Sequence, residues 1–136
     1  MITRVFKTGT IAGPDVAQAN NMVLSTVDIP DPGFLYQLTF TGQIWISPGT
    51  GTGIDVTMKD GATLAGTNLS VVTSIDGAMT GNQGGRIPYP VSGTTPVLGG
   101  ARSVSLCVTK WKGAATNTWT HSAEGFTSVT VLLTAT

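Results

Sequence analysis

Cysteine and histidine are almost missing from this sequence, which holds one of each in 136 residues, Cys107 and His121. A lone cysteine excludes an intrachain disulfide. Zinc needs three or four His, Cys or carboxylate ligands, so a supply this thin argues against zinc and redox chemistry. Charge is equally scarce: 10% of residues, against about 25% in an average soluble domain. Seven basic and seven acidic side chains give a formal net charge of zero. The basic residues are scattered, with only Lys110 and Lys112 close together. The cationic face that displaces counterions from phosphates is therefore lacking, and nucleic acid is not expected as a partner. No run approaches the ~18 apolar residues of a membrane span. The opening residues MITRVFKTGT carry no apolar signal-peptide core, which points to folding in a reducing cytoplasm without secretion. The glycine-rich PGTGTG of residues 48–53 lacks the lysine and following helix of a phosphate-binding loop and reads as a flexible loop.

Thr, Ser, Gly and Asn stand where charge would be. Thr alone supplies 23 of 136 residues, and its branched Cβ favours strands. The 18 Gly and seven Pro supply turns. A chain of this length predicts one domain spanning residues 1–136, able to bury roughly two-thirds of its unfolded surface in one core.

Hydrophobic periodicity predicts an all-β antiparallel sandwich of about eight strands. In FLYQLTFTGQIWIS, residues 34–47, Phe34, Tyr36, Leu38, Phe40, Ile44 and Ile46 share one parity, while Gln37, Thr39, Thr41 and Gln43 share the other. Gly42 interrupts this run and marks a bend or bulge, giving one long bent strand or two short ones. Ile54, Val56 and Met58 repeat the alternation, and Asp60-Gly61 reads as a tight hairpin turn into ATLAGTNLSVV. Ile75-Asp76-Gly77 is a second turn signal. Pro88 and Pro90 bar Ile87–Val91 from a central strand, because each lacks a ladder N–H. Val104, Leu106 and Val108 alternate with Ser103, Ser105, Cys107 and Thr109, and FTSVTVLLTAT closes the chain. ITRVFKTGTI and VLSTVDI are two further strand candidates near the start, and the only candidate helix is a short turn within Pro14–Met22. The expected core contains Phe34, Tyr36, Leu38, Phe40, Val56, Leu106, Val108, Val131 and Leu133.

Residues that carry chemistry are few. His121 lies in a polar, turn-like segment with Ser122 and Glu124 as sequence neighbours. A triad is defined by geometry, not by adjacency, so an exposed loop histidine is expected. Asp55 sits on a polar strand face, with no second carboxylate to pair with it as a glycosidase requires. Asp60 and Asp76 precede glycine, and Asp28 and Asp31 surround prolines in DIPDPG; turn chemistry accounts for all four. No EF-hand spacing supports calcium. Cys107 is mid-strand with no base to activate it, a structural thiol. No cofactor or metal is expected. The aromatics are more suggestive. Trp111 and Trp119 flank KGAATNT on an expected hairpin beside Lys110 and Lys112, and Trp45 lies off the apolar parity of its strand. An exposed indole is a platform for sugars or a protein anchor, whereas a buried one caps the core. Trp45, Trp111, Trp119, Lys110 and Lys112 are the candidate contact residues.

The order of parts resembles a family type. VLSTVDIPDPGFLYQLTFTGQIWI gives a strand, a turn and an aromatic-rich strand; a strand-DG-strand unit and a long loop follow; then come GGARSVSLCVTKWKG and EGFTSVTVLLTAT. This pattern is similar to the small jelly-roll sandwiches of tailed-bacteriophage virions, tail or head-surface proteins shaped like tumour-necrosis-factor and C1q heads. The resemblance implies a non-enzymatic virion protein, assembled in the host cytoplasm, often trimeric, contacting other virion proteins or the host surface. A carbohydrate-binding module acting through Trp111 and Trp119 is the alternative, and an enzyme using Asp55, Glu124 and His121 ranks third. The neutral off-core positions, Gln37, Thr39, Thr41, Gln43, Ser103, Ser105, Cys107 and Thr109, predict assembly independently, because uncharged faces are cheap to desolvate.

Overall fold

The computed structural model describes residues 3–7, 17–80, 87–121 and 127–136. They form ten strands and one helical turn: β1 (Thr3–Lys7), β2 (Ala17–Gln18), β3 (Met22–Ile29), β4 (Tyr36–Pro48), β5 (Gly53–Asp60), β6 (Asn68–Asp76), α1 (Gly77–Thr80), β7 (Pro88–Thr94), β8 (Arg102–Lys112), β9 (Trp119–His121) and β10 (Ser128–Ala135). Every pairing is antiparallel. The long strands fall into two sheets, ordered β1-β10-β4-β7 and β3-β8-β5-β6. The chain crosses repeatedly from one sheet to the other, and this order is the double Greek key of a jelly roll. β9 and β2 add a short ribbon on the far end of β4, where Ile46 pairs with His121.

The alternation seen in the sequence is the alternation that fills the core. Tyr36, Leu38, Phe40, Ile44 and Ile46 of β4 meet Ile54, Val56 and Met58 of β5 and Val104, Leu106 and Val108 of β8. Val129, Val131 and Leu133 of β10 complete the layer. Of the nine expected core residues, eight are buried and Phe34 is half-buried against the cluster. β4 is one long bent strand. Gly42, at φ +146°, faces Val129, and a Cβ there would lie 2.1 Å from the Ser128 carbonyl oxygen. Only glycine lets β10 approach so closely at that point.

Edges are managed differently in the two sheets. β7 pairs with β4 alone, and Pro88 and Pro90 remove donors from its edge, as the sequence predicts. In the second sheet, register shifts interrupt both edges: between Val23 and Ser25 of β3, and twice along β6 against β5. At one end of the sandwich Arg102 acts as a clamp. Its guanidinium donates to the Tyr36 hydroxyl at 3.1 Å, to Asp60 Oδ2 at 2.7 Å and to the Gly99 carbonyl at 3.0 Å. The Tyr36 hydroxyl in turn donates to the Gly100 carbonyl at 2.8 Å.

Several expectations need correction. Asp60-Gly61 is not a two-residue hairpin turn: Gly61 does take a positive φ, but residues 61–67 form a longer loop and the return strand starts at Asn68. Asp60 is spent on Arg102 and on the β8 ladder, which holds β5 open past the expected turn. Residues 17–22 are strand and irregular chain, not helix, while Pro14–Val16 lie outside the described residues; the one helical turn is Gly77–Thr80. PGTGTG is a packed turn: the Gly49 amide bonds the Thr118 carbonyl, Thr52 is buried and Gly53 begins β5. Trp111 and Trp119 do not share a hairpin, because β8 lies in the second sheet and β9 pairs with β4 and β2.

Candidate functional site

A sandwich offers two outward faces, and here they differ in chemistry. On the first sheet the ladder aligns Val5, Leu132, Thr39 and Thr94 in one row. Lys7, Thr130, Thr41 and Ser92 form the next, and Thr3, Thr134 and Gln37 a third. Ser128, Gln43 and Pro90 continue the face beyond Gly42. Lys7, at the end of β1, is the single charged residue in these rows. Val5 is 59% exposed here. Leu35, one residue before β4 and on the outward parity, is 59% exposed, and Val97, beside the inward-packed Leu98, is 53% exposed. Gln37 is tied by its amide to the Thr95 carbonyl.

The outward face of the second sheet carries the ions. Asp28, Lys59, Asp55, Asp76 and Lys112 all belong to it, and they interleave with Thr26, Ser74 and Thr109. Several of its neutral positions are not open surface, Thr57 among them. Ser105 and Cys107 are fully buried, correcting their place among the exposed off-core residues. The Ser105 hydroxyl is enclosed by the Gly61 carbonyl and the Thr26 hydroxyl. Cys107 sits between Val23 and Thr57 in its row, and burial pushes its thiol up, with Lys59 pulling weakly the other way. A protonated, enclosed thiol is no nucleophile.

Gly53 organises the end of this face. It is the Cα partner of Asp76 on one side and Lys112 on the other. With no side chain between them, the Lys112 ammonium reaches both Asp76 oxygens at 3.0 Å. The ladder shifts between Gly53 and Ile54, so that Trp111 is the extra residue of a β-bulge. Its ring lies directly on Gly53: a Cβ at that position would come within 2.5 Å of Cε2 and Cζ2. Trp111 nevertheless remains 50% exposed, and the Lys112 ammonium is 6.0 Å from its ring centroid. The Asp76 carboxyl is held below its ordinary range, first by the Ala78 amide and then by Lys112.

The other candidates are placed elsewhere. Trp119 is wholly buried, its indole N–H donating to the Asn20 carbonyl at 3.0 Å, so it caps the core. Lys110 is committed to the loop that follows β8, donating to the carbonyls of Ala114, Ala115 and Asn117. Trp45 is half-buried opposite Pro88, and its amide donates to the Thr127 hydroxyl. His121 overturns the expectation of an exposed loop: it is buried in β9, edge-on to Trp119 at 6.1 Å. Ser122 and Glu124 lie outside the described residues. A recess of about 350 Å³ lined by Asp28, Pro30 and Arg102 holds groups already satisfied, Asp28 by Ser103 and Arg102 by Asp60. Among the described residues no three His, Cys, Asp or Glu side chains converge, and no helix is long and apolar enough to cross a membrane.

Sequence reasoning singled out Trp111 and Lys112 but missed Gly53 and Asp76, which it read as loop and turn. No local signal joins residues 53, 76 and 112; only the sheet register does.

No protein-family model and no curated protein sequence matches this chain. Among solved structures, the chain is similar to the VP2 subviral particle of infectious bursal disease virus, at 15% identity and a TM-score of 0.49, covering 96% of this chain and 37% of that one. It is similar to T=1 particles derived from a mutant VP2 protein of that virus, at 14% identity and a TM-score of 0.49, covering 98% and 36%. The structure of the Gx strain gives 14% identity and a TM-score of 0.48, covering 96% and 36%. The chain spans little more than a third of the length of these proteins.

Proposed function

We propose that this domain is a non-enzymatic structural component of a virus particle, a bacteriophage tail or capsid-surface protein, which assembles with copies of itself and with other virion proteins. The outward face of β1-β10-β4-β7 carries the assembly reading. Its rows are hydroxyls, amides and aliphatic groups, with Lys7 alone bearing charge. Hydroxyls and amides lose little on leaving water when they find partners. Unpaired ions cost several kcal/mol each. Val5, Leu35 and Val97 add exposed apolar area, worth about 25 cal/mol per Å² when covered.

The non-enzymatic reading is supported by how the scarce reactive groups are spent: His121 packs beside Trp119, and the Cys107 thiol is enclosed. The virion assignment rests on fold analogy, since jelly rolls recur in virus shells. Closed symmetry is the rule for identical subunits, and the number three is taken over from the resemblance to trimeric virion sandwiches.

Light scattering on the purified chain tests the assembly. Wild type should show three times the chain mass, and Thr39→Lys, which sets a cation in the middle row, should show the chain mass with an unchanged circular dichroism spectrum. A wild-type monomer at the highest soluble concentration refutes self-assembly. Immunogold labelling of purified particles tests the virion assignment, and unlabelled particles refute it.

A further inference from the structure

The exposed indole of Trp111 is a fixed feature. It stands on Gly53, where any side chain would collide with it, and it is the extra residue of a β-bulge flanked by the paired Lys110 and Lys112. Lys110 ties down the loop that follows, through the carbonyls of Ala114, Ala115 and Asn117, and Asn117 bonds the Gly51 carbonyl. The cross-strand rows beside the ring are polar. Asp76 and Lys112 bridge the same row, with side chains 29% and 40% exposed. The next row on this face is Ser74, Asp55 and Thr109. Neither the Asp55 carboxylate nor the Ser74 and Thr109 hydroxyls have a hydrogen-bond partner among the described residues. Val71, an exposed apolar residue of this face, pairs with Thr57, four residues or about 13 Å along β5 from Gly53.

We propose that this surface is a glycan-binding subsite, with the pyranose ring of a hexose-type sugar stacked on Trp111 and its hydroxyls bonded to Asp76, Lys112 and Asp55. A protein anchor needs an apolar, water-excluding surround, whereas among the described residues the cross-strand rows beside Trp111 are Asp76 with Lys112, and Ser74 and Asp55 with Thr109. A pyranose needs one apolar platform for its C–H face and a rim of acceptors and donors for its hydroxyls, the combination found here. Asp76 and Asp55 accept, and Lys112 donates. Lys112 is neutralised by Asp76 and Asp55 adds a carboxylate, so the site favours an uncharged sugar over an anionic one. The site lies on the opposite sheet from the proposed assembly face, so the two readings stand or fall separately.

The test uses the full chain, ¹⁵N-labelled, titrated with hexasaccharides of glucose, galactose and N-acetylglucosamine while the three indole N–H resonances are followed. At least one sugar should shift the Trp111 resonance saturably with a Kd of ~1 mM or tighter, leaving buried Trp119 unmoved. Trp111→Ala should abolish binding, and Asp76→Asn and Asp55→Asn should each weaken it roughly tenfold. Gly53→Ala, which displaces the ring without removing it, should weaken binding as well. The proposal is overturned if no sugar moves Trp111, if saturable binding survives Trp111→Ala, or if the Trp111 resonance shifts with protein concentration and not with sugar.

Discussion

Replacing Gly53 by alanine asks one methyl group to enter the contact beneath Trp111. The backbone accepts it, since Gly53 is not among the glycines with positive φ. The space does not: the new Cβ would sit 2.5 Å from Cε2 and Cζ2 and 2.9 Å from Cδ2, well inside the ~3.5–4.0 Å of a carbon–carbon contact. Gly53 is held in register by Asp76 and Lys112, so the half-exposed ring is the softer partner and swings outward. A tryptophan can bury up to about 250 Å², so a ring left half-exposed holds roughly 100 Å² against the sheet. At 25 cal/mol per Å² that contact is worth about 2.5 kcal/mol. Alanine returns ~0.4–1 kcal/mol by restricting the unfolded chain. The expected loss is therefore about 1.5–2 kcal/mol, read as a lower urea midpoint with an unchanged slope. Iodide should quench the variant's fluorescence more strongly, because the ring is freed. A midpoint at or above wild type, with unchanged quenching, would show that the ring is not seated on residue 53.

Leu106→Ala, in the middle of β8 and fully buried, should cost about 2–5 kcal/mol in denaturant titration, and a loss below about 1 kcal/mol would contradict a close-packed core there. Asp76 is lowered from its ordinary 3.8 by the Ala78 amide and Lys112. Its stabilisation is full above that value and is lost as pH falls through the lower folded pKa. Asp76→Asn should therefore flatten the acid limb of the stability curve below about pH 4, and superimposable limbs would contradict the pairing. The Cys107 thiol, raised by burial, should ignore an aromatic disulfide reagent at neutral pH until the protein is unfolded in urea; rapid labelling of the native chain would place it at the surface.

Period-2 patterning made the jelly roll's long strands readable because burial acts directly on parity. Tyr36, Leu38 and Phe40 must face inward, and a one-residue slip would expose all three. Gly42 and the Pro88/Pro90 pair were readable because each acts through its own backbone. His121 was misread because its polar neighbours suggested a loop, whereas its burial comes from pairing with Ile46, far away in sequence. Cys107 and Ser105 had the outward parity that was read, but parity does not report what crosses above a face. The Trp111 platform was half legible. Its aromatic and one lysine stood out, whereas its glycine seat and its carboxylate belong to β5 and β6 and join it only through cross-strand register.

The distribution of charge over the two faces sets which of them can be covered. Packing the second face against a partner would desolvate the Asp55 carboxylate, which has no hydrogen-bond partner among the described residues, at a cost of several kcal/mol. Packing the first face strips water from hydroxyls and amides whose partners can be supplied by identical rows of another copy. Assembly through β1-β10-β4-β7 would leave β3-β8-β5-β6, with Trp111, turned outward on the far side of a sandwich about 10 Å thick between sheets. Several equivalent sugar subsites then stand on one particle, and weak single contacts become avid ones by raising effective concentration. Thr39→Lys should accordingly leave the single-site affinity for a soluble hexasaccharide unchanged while lowering retention on a sugar-coated surface by tenfold or more, of the order that multivalency supplies. Surface plasmon resonance at matched chain concentration reads both. Equal retention of the variant and wild type would mean that assembly and sugar binding are not linked through opposite faces.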